Sequence, residues 1–77
     1  MASPIRNSIR RLRFDHHGMT QAELGVRIGM TRQTVAAIEQ GRYSPSLEAA
    51  FRIAQVFDAP LETVFQWVGE EVTRPGR

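Results

Sequence analysis

The stretch TQAELGVRIGMTRQTVAAIEQ, residues 20–40, predicts two short helices joined by one tight turn. Thr20 followed three residues later by Glu23 is a capping box, which starts a helix by satisfying two backbone N–H groups reciprocally. Leu24 and Ile28 form the apolar face of this helix, and Gly29 suits the left-handed conformation that ends one. The small residue Gly25 allows the two helices to cross closely. The pattern therefore predicts a helix-turn-helix unit.

The second helix of the pair has an outward face that favours contact with another molecule. We expect Thr31 to cap this helix, Val35 and Ile38 to point inward, and Gly41 to end it. On the same helical wheel the outward positions are Arg32, Gln33, Ala36, Ala37 and Gln40. A polar first turn followed by two alanines can lie close against a partner.

A helix is also predicted before this unit. Ile5, Ile9 and Leu12 recur at i, i+4 and i+7, so we expect one apolar helix face that starts near Pro4. The segment Asp15-His16-His17-Gly18 is typical of a helix end and connection.

Two further helices are predicted after the unit. Ser46 caps a fourth helix with only a narrow polar strip, which predicts a mostly buried element: Leu47, Ala50, Phe51, Ile53, Ala54, Val56 and Phe57. A short fifth helix follows Pro60, with an apolar stripe of Leu61, Val64, Phe65 and Val68. Residues 69–77 have no periodicity, so we expect one domain over residues 1–68 and a flexible tail over residues 69–77.

Length and composition limit the possible classes of protein. With 77 residues and 42% hydrophobic residues in periodic spacing, the chain is expected to form one small soluble domain. The chain has no cysteine, which excludes disulfides, thiol catalysis and cysteine zinc sites. No apolar run reaches the roughly 18 residues of a membrane span, and no signal-peptide core is present, so we expect a cytoplasmic protein without membrane contact.

The basic residues weakly favour an anionic partner. The formal net charge is +2, and all ten basic residues are arginine. The arginine side chain forms bidentate hydrogen bonds with phosphates and with guanine edges. A compositional bias of the source genome explains the same counts equally well, so the positions of the arginines matter more than their number.

Four segments carry a resemblance to a known family: Thr20-Gln21-Ala22-Glu23-Leu24, Thr31-Arg32-Gln33-Thr34-Val35, Ala37-Ile38-Glu39-Gln40-Gly41-Arg42-Tyr43 and Pro45-Ser46-Leu47. Together they resemble the Cro/CI-type (XRE) helix-turn-helix regulators of bacteria and phages, in particular the small stand-alone members. The resemblance extends over about residues 5–66. It implies an all-α, five-helix, lambda-repressor-like DNA-binding domain with the helix-turn-helix at residues 20–40. The connection at Phe14-Asp15-His16-His17 is one residue longer than the commonest spacing in the family.

The resemblance implies that the third helix enters the major groove of double-stranded DNA. Its base-reading positions are Arg32 and Gln33, with Ala36 and Ala37 close to the groove floor. Arginine pairs bidentately with guanine, glutamine pairs with adenine, and an alanine methyl packs on a thymine methyl. A solvated helix face is the alternative for these residues.

Phosphate contacts are expected around this helix, from helix N-termini, hydroxyls, amides and one arginine. The residues are Gln21, Thr31, Thr34, Arg42, Tyr43 and Ser44. For Tyr43 the alternative is packing beneath the loop. Glu39 would be poorly placed against phosphates, and the family pattern suggests instead an ion pair with Arg13. An exposed glutamate at the helix end is the alternative, although the helix dipole disfavours it.

Trp67 lies off the main stripe of the fifth helix, which suggests a second apolar surface. We expect a homodimer interface at Val64, Trp67 and Val68, because two-fold pairing reads two half-sites about 34 Å apart. The alternative is that Trp67 folds over the domain edge.

The expected function is a sequence-specific DNA-binding transcriptional regulator that binds a palindromic operator as a homodimer. A repressor, which blocks the polymerase, is expected, and an activator, which recruits it, is the alternative. The rival is an antitoxin or other protein-interaction module that acts through the fifth helix and tail. We expect no enzyme, cofactor, metal or small-molecule ligand. His16 and His17 lack further ligands at the spacing of a metal site. Glu70 and Glu71 could suggest acid/base catalysis, but they lie in the predicted tail, without a pocket.

Overall fold

The computed structural model describes residues 3–71. In chain order the elements are β1 (Ile5–Asn7), α1 (Ile9–Asp15), α2 (Gln21–Ile28), α3 (Arg32–Glu39), α4 (Leu47–Val56), α5 (Leu61–Val64) and β2 (Phe65–Trp67). The predicted five-helix architecture is confirmed, and a two-stranded sheet is added to it. None of the described helices is long and apolar enough to span a bilayer.

Side-chain caps begin the three central helices where the sequence predicts. The Thr20 hydroxyl accepts from the Glu23 N–H at 3.0 Å, and the Glu23 carboxylate accepts from the Thr20 N–H at 3.1 Å. Thr31 and Ser46 accept in the same way from the N–H groups three residues later, each at 3.1 Å. The predicted capping box and both N-caps are therefore confirmed, and the φ of +73° at Gly29 confirms the left-handed end of α2.

The close approach of α2 to the turn before α3 depends on Gly25. The N–H of Met30 donates to the carbonyl of Gly25 at 2.8 Å. A Cβ atom on Gly25 would lie 2.5 Å from the Met30 carbonyl oxygen, which is shorter than any tolerable contact. A side chain at this position would therefore push the two helices apart.

Every helix contributes to one hydrophobic core. Burying these apolar side chains supplies the main stabilising free energy of a domain without disulfides. The core residues are Ile9, Met19, Leu24, Ile28, Val35, Ile38, Ile53, Ala54, Phe57 and Val64. Both helices of the helix-turn-helix unit are thus anchored on their inward faces.

The predicted extent of the first helix is wrong. The helix begins at Ile9, and Ile5–Asn7 is instead a strand that pairs antiparallel with Phe65–Trp67, with Ile5 opposite Trp67 and Asn7 opposite Phe65. Pairing with β2 satisfies backbone groups that the predicted extra helical turn would have satisfied. Ile5 is half-buried by this pairing.

Two expectations for the later helices are also corrected. The fourth helix is not mostly buried, because Leu47 and Phe51 are 67% and 51% exposed. The fifth helix ends at Val64, and Phe65 adopts an extended conformation with φ −125° and ψ 137°, so the predicted stripe through Val68 does not form. The chain leaves α5 directly into β2.

The predicted boundary between domain and tail stays a prediction. Of the expected tail at residues 69–77, residues 72–77 lie outside the described part of the chain. Next to the boundary, the Val68 N–H donates to the Pro4 carbonyl at 2.8 Å, and the Trp67 Nε1–H donates to the Glu70 carbonyl at 2.9 Å.

Candidate nucleic-acid interface

The first turn of α3 presents a polar, accessible surface. Arg32 and Gln33 are exposed, and Ala36 and Ala37, one turn later, are half-buried. Val35 and Ile38 are 1% and 2% exposed, so the opposite face of the helix is fixed in the core. The four residues expected to read bases thus lie on one helix, with their side chains away from the core.

The electrostatics of this turn favour an anionic partner. No acidic residue occupies the first turn of α3, so the partial positive charge of its N-terminus is not neutralised locally. The ion pairs within residues 3–71 are Arg13–Glu39 and Arg52–Glu48, and neither uses Arg32. Arg32 therefore has no carboxylate partner among the described residues.

The N-cap of α3 holds two of the expected phosphate-contacting residues. The hydroxyl oxygens of Thr31 and Thr34 lie 3.0 Å apart, and Thr31 also accepts from the Thr34 N–H. Thr31 is exposed and Thr34 half-buried. Both hydroxyls are therefore engaged in starting the helix while they border its accessible end.

A partly buried ion pair joins α1 to α3. The Arg13 Nε–H donates to Glu39 Oε2 at 2.7 Å, and Nη2 donates to Oε1 at 3.1 Å. Arg13 Nη1 also donates to the Met19 carbonyl at 2.8 Å. The structure thus brings the two expected partners together in a bidentate geometry, which is the strong form of such contacts.

Gln21, at the start of α2, belongs to the same network. Its Nε2–H donates to Glu39 Oε1 at 3.3 Å, and the residue is half-buried. The carboxylate of Glu39 therefore connects three helices. The Gln21 amide still has a second N–H that can donate to a phosphate oxygen.

The loop after α3 carries the remaining expected phosphate contacts. Arg42, Tyr43 and Ser44 are all exposed, and the Arg42 Nε–H donates to the Gln40 side-chain oxygen at 2.8 Å. Tyr43 is 50% exposed, and it also lines a narrow cleft with Ile38 and Phe65. Tyr43 is therefore accessible to solvent and also contributes to this cleft.

The expected dimer residues separate into two groups. Val64 is 0% exposed, because its side chain packs in the core of the domain. The prediction that Val64 lies in a dimer interface is therefore wrong. Trp67, at the end of β2, and Val68, which follows it, are 60% and 49% exposed, so both remain accessible. Gly69 lies beneath the Trp67 ring, where a Cβ atom would approach ring atom Cζ2 to 2.8 Å.

The His16 ring packs against the body of the domain. The His16 ring meets Phe57 edge-on, with centroids 5.1 Å apart, and its Nδ1 lies 3.2 Å from the Leu12 carbonyl oxygen. Within residues 3–71, no three side chains of the metal-binding types come together.

Asn7, which the sequence pattern did not single out, contacts the C-terminal end of α3. The Asn7 side-chain amide donates to the carbonyls of Ile38 and Glu39 at 3.1 and 3.4 Å. Its oxygen accepts from the Ile9 N–H at 3.2 Å. Asn7 and Ser8 could have indicated that the helix begins only after them, because Asn and Ser side chains compete with helical hydrogen bonds.

A family model and several known proteins are similar to this chain. The family model described as helix-turn-helix matches residues 9–64. A relative from Archaeoglobus fulgidus, described as an uncharacterized HTH-type transcriptional regulator, is 43% identical over 68 residues, which cover 88% of this chain and 96% of the relative.

Two other relatives carry similar descriptions. The uncharacterized HTH-type transcriptional regulator YgzD of Bacillus subtilis is 46% identical over 67 residues, or 87% of this chain and 98% of the relative. The regulator MJ0272 of Methanocaldococcus jannaschii, also described as uncharacterized, is 44% identical over 55 residues, covering 71% of this chain and 83% of the relative.

Proposed function

The chain belongs to the XRE-type helix-turn-helix family of DNA-binding transcriptional regulators, and we propose that it represses transcription by binding a palindromic operator as a homodimer. The first turn of α3 supports this proposal most strongly. There Arg32 and Gln33 are exposed beside the small residues Ala36 and Ala37. Members of the family generally act by binding, without catalysing a reaction.

In the proposed complex the first turn of α3 lies in the major groove. Arg32 pairs with a guanine and Gln33 with an adenine, while Ala36 and Ala37 allow the helix backbone to approach the groove floor. Gln21, Thr31, Thr34, Arg42, Tyr43 and Ser44 contact phosphates on either side and fix the register of the protein without specifying sequence.

A second copy doubles the number of bases read. We assign the dimer contact to Trp67 and Val68, the exposed apolar residues at the end of β2. A two-fold dimer places its recognition helices in successive major grooves about 34 Å apart, which requires a palindromic operator. Occupancy of such an operator within a promoter blocks the polymerase.

Selection from a pool of random duplex DNA tests the proposal. The expected result is an enriched palindrome with half-sites about 10 base pairs apart, centre to centre. A reporter with this palindrome between promoter and gene should then lose expression when the protein is present. A folded sample that enriches no motif would reject sequence-specific binding and favour the protein-interaction role.

A further inference from the structure

We propose that Asn7 is a positioning residue for DNA recognition, because its side chain sets the tilt of α3 from the C-terminal end of the helix. The inference rests on the proposed function, and it adds a residue that does not touch DNA. Asn7 lies in β1, before the first helix.

The contacts of Asn7 join four elements. Its amide N–H groups donate to the Ile38 and Glu39 carbonyls at the end of α3. Its side-chain oxygen accepts from the N–H of Ile9, the first residue of α1. Its backbone lies opposite Phe65 of β2 in the antiparallel ladder.

These hydrogen bonds occupy the end of α3 where helices lack internal partners. The last four carbonyls of a helix have no intrahelical donor. Backbone N–H groups of the residues after the helix donate to three of these four carbonyls. The N–H of Gln40 donates to Ala36, that of Arg42 to Ala37 and that of Gly41 to Ile38. Asn7 supplies the donor that reaches the carbonyl of Glu39, the last residue of the helix.

A small tilt at this end produces a large displacement at the other. With eight residues, α3 is about 12 Å long. A rotation of about 5° around its C-terminal end moves the Cα of Arg32 by roughly 1 Å. Productive binding geometry tolerates only about 0.5 Å. Loss of the Asn7 anchor therefore weakens base readout more than it weakens phosphate contact.

The chain offers a matched control for this side chain. The Gln66 amide also donates to two carbonyls near the end of a helix, those of Glu62 and Thr63 at 3.1 and 2.9 Å. That helix is α5, not α3. Asn7→Asp and Gln66→Glu each replace an amide donor by a carboxylate, with the same change in net charge.

The experiment compares binding to the selected operator with binding to a random duplex. For Asn7→Asp we expect the ratio of the two affinities to fall about tenfold, and for Gln66→Glu to stay within twofold of wild type. The two variants should show the same salt dependence of binding to the random duplex as each other. Each gains one negative charge, and neither loses a phosphate contact.

A second variant tests the same contact in case Asn7→Asp does not fold. Asn7→Ser keeps an oxygen near the Ile9 N–H but is too short to reach α3, and circular dichroism reports whether it folds. We expect it to lose discrimination as well. Unchanged discrimination in a folded Asn7 variant, or an equal loss in Gln66→Glu, overturns the inference alone. A folded wild type that enriches no operator overturns the proposed function, and this inference with it.

Discussion

The Arg13 Nε atom lies 2.7 Å from Glu39 Oε2, and the two side chains are only 15% and 8% exposed. The pair joins α1 to α3. Removing one partner from such a site leaves the other charge poorly solvated and unpaired, which is more costly than the pair itself is favourable.

We expect Arg13→Ala to lower the free energy of unfolding by about 2 kcal/mol, because the Glu39 carboxylate then keeps only the Gln21 amide as a side-chain partner. Urea denaturation measures the loss. The double variant Arg13→Ala/Glu39→Ala should lose less than the sum of the two single variants. Arg52→Ala is the control: its ion pair with Glu48 is exposed and should contribute about 0.5 kcal/mol or less. Equal losses for Arg13→Ala and Arg52→Ala would contradict the structural role of the partly buried pair.

Gly25→Ala should destabilise the fold by about 2 kcal/mol, although alanine is the better helix former. The added Cβ would lie 2.5 Å from the Met30 carbonyl oxygen, a backbone atom that cannot move alone. Gly29→Ala provides a comparison, because it meets no atom within 4 Å and suffers only from its φ of +73°. Its expected cost is about 1 kcal/mol. Thermal or urea unfolding of both variants tests the order, and a stabilised Gly25→Ala would contradict the close crossing.

Arg32→Ala and Gln33→Ala should each relax the base preference at one position of the half-site. The expected cost is roughly 1–3 kcal/mol of discrimination per bidentate contact. Arg42→Ala should instead weaken binding to all sequences alike and reduce the salt slope, as expected for a phosphate contact. Titration of specific and random duplexes at several salt concentrations separates these effects. Equal losses on both duplexes for all three variants would reject Arg32 and Gln33 as base readers.

Stability should depend weakly on pH through Glu23. The backbone N–H of Thr20, which donates to the Glu23 carboxylate, holds the pKa of Glu23 below its ordinary value. The contribution is therefore complete above the unfolded-state pKa and is lost as the pH falls through the folded-state pKa. Carbon-detected NMR titration should give a lowered value. Glu23→Gln should remove this part of the pH dependence, and a pKa at or above the ordinary value would contradict the capping geometry.

Trp67→Ala should shift the protein from dimer to monomer and make operator binding depend more steeply on protein concentration. Trp67 is 60% exposed at the end of β2, and large aromatic side chains are common anchors of interfaces. The control is Val26→Ala on α2, whose side chain is 83% exposed and outside the proposed interface. Sedimentation equilibrium measures both. A monomeric wild type, or a dimer unaffected by Trp67→Ala, would refute this interface.

Local chemistry explains which parts of the fold the sequence predicts well. The starts of α2, α3 and α4 follow from Thr20, Thr31 and Ser46, whose hydroxyls accept hydrogen bonds from N–H groups three residues away. Such contacts involve only neighbours along the chain, so they can be inferred without knowledge of the tertiary structure. The inward positions of Val35 and Ile38 follow in the same way from helical periodicity.

The errors concern residues whose conformation depends on distant partners. Ile5 fits the helical repeat of Ile9 and Leu12, but its backbone pairs with Trp67 near the other end of the chain. Val64 has the same local pattern as an interface residue, and only the packed core reveals that it is fully buried. For Asn7, no local feature predicts the carbonyls of Ile38 and Glu39 as acceptors.

The β1–β2 ladder makes the final position of α3 dependent on the folding order of the chain. Pairing Ile5 with Trp67 closes nearly all of the described chain into one loop, and the entropic cost of closure rises with loop length. The caps and the α2–α3 turn involve short loops, so we expect them to form first and the ladder to close last. Asn7 reaches the end of α3 only when β1 is in place. If the proposed function is correct, a partly folded chain would therefore bind DNA non-specifically before it could distinguish one sequence from another.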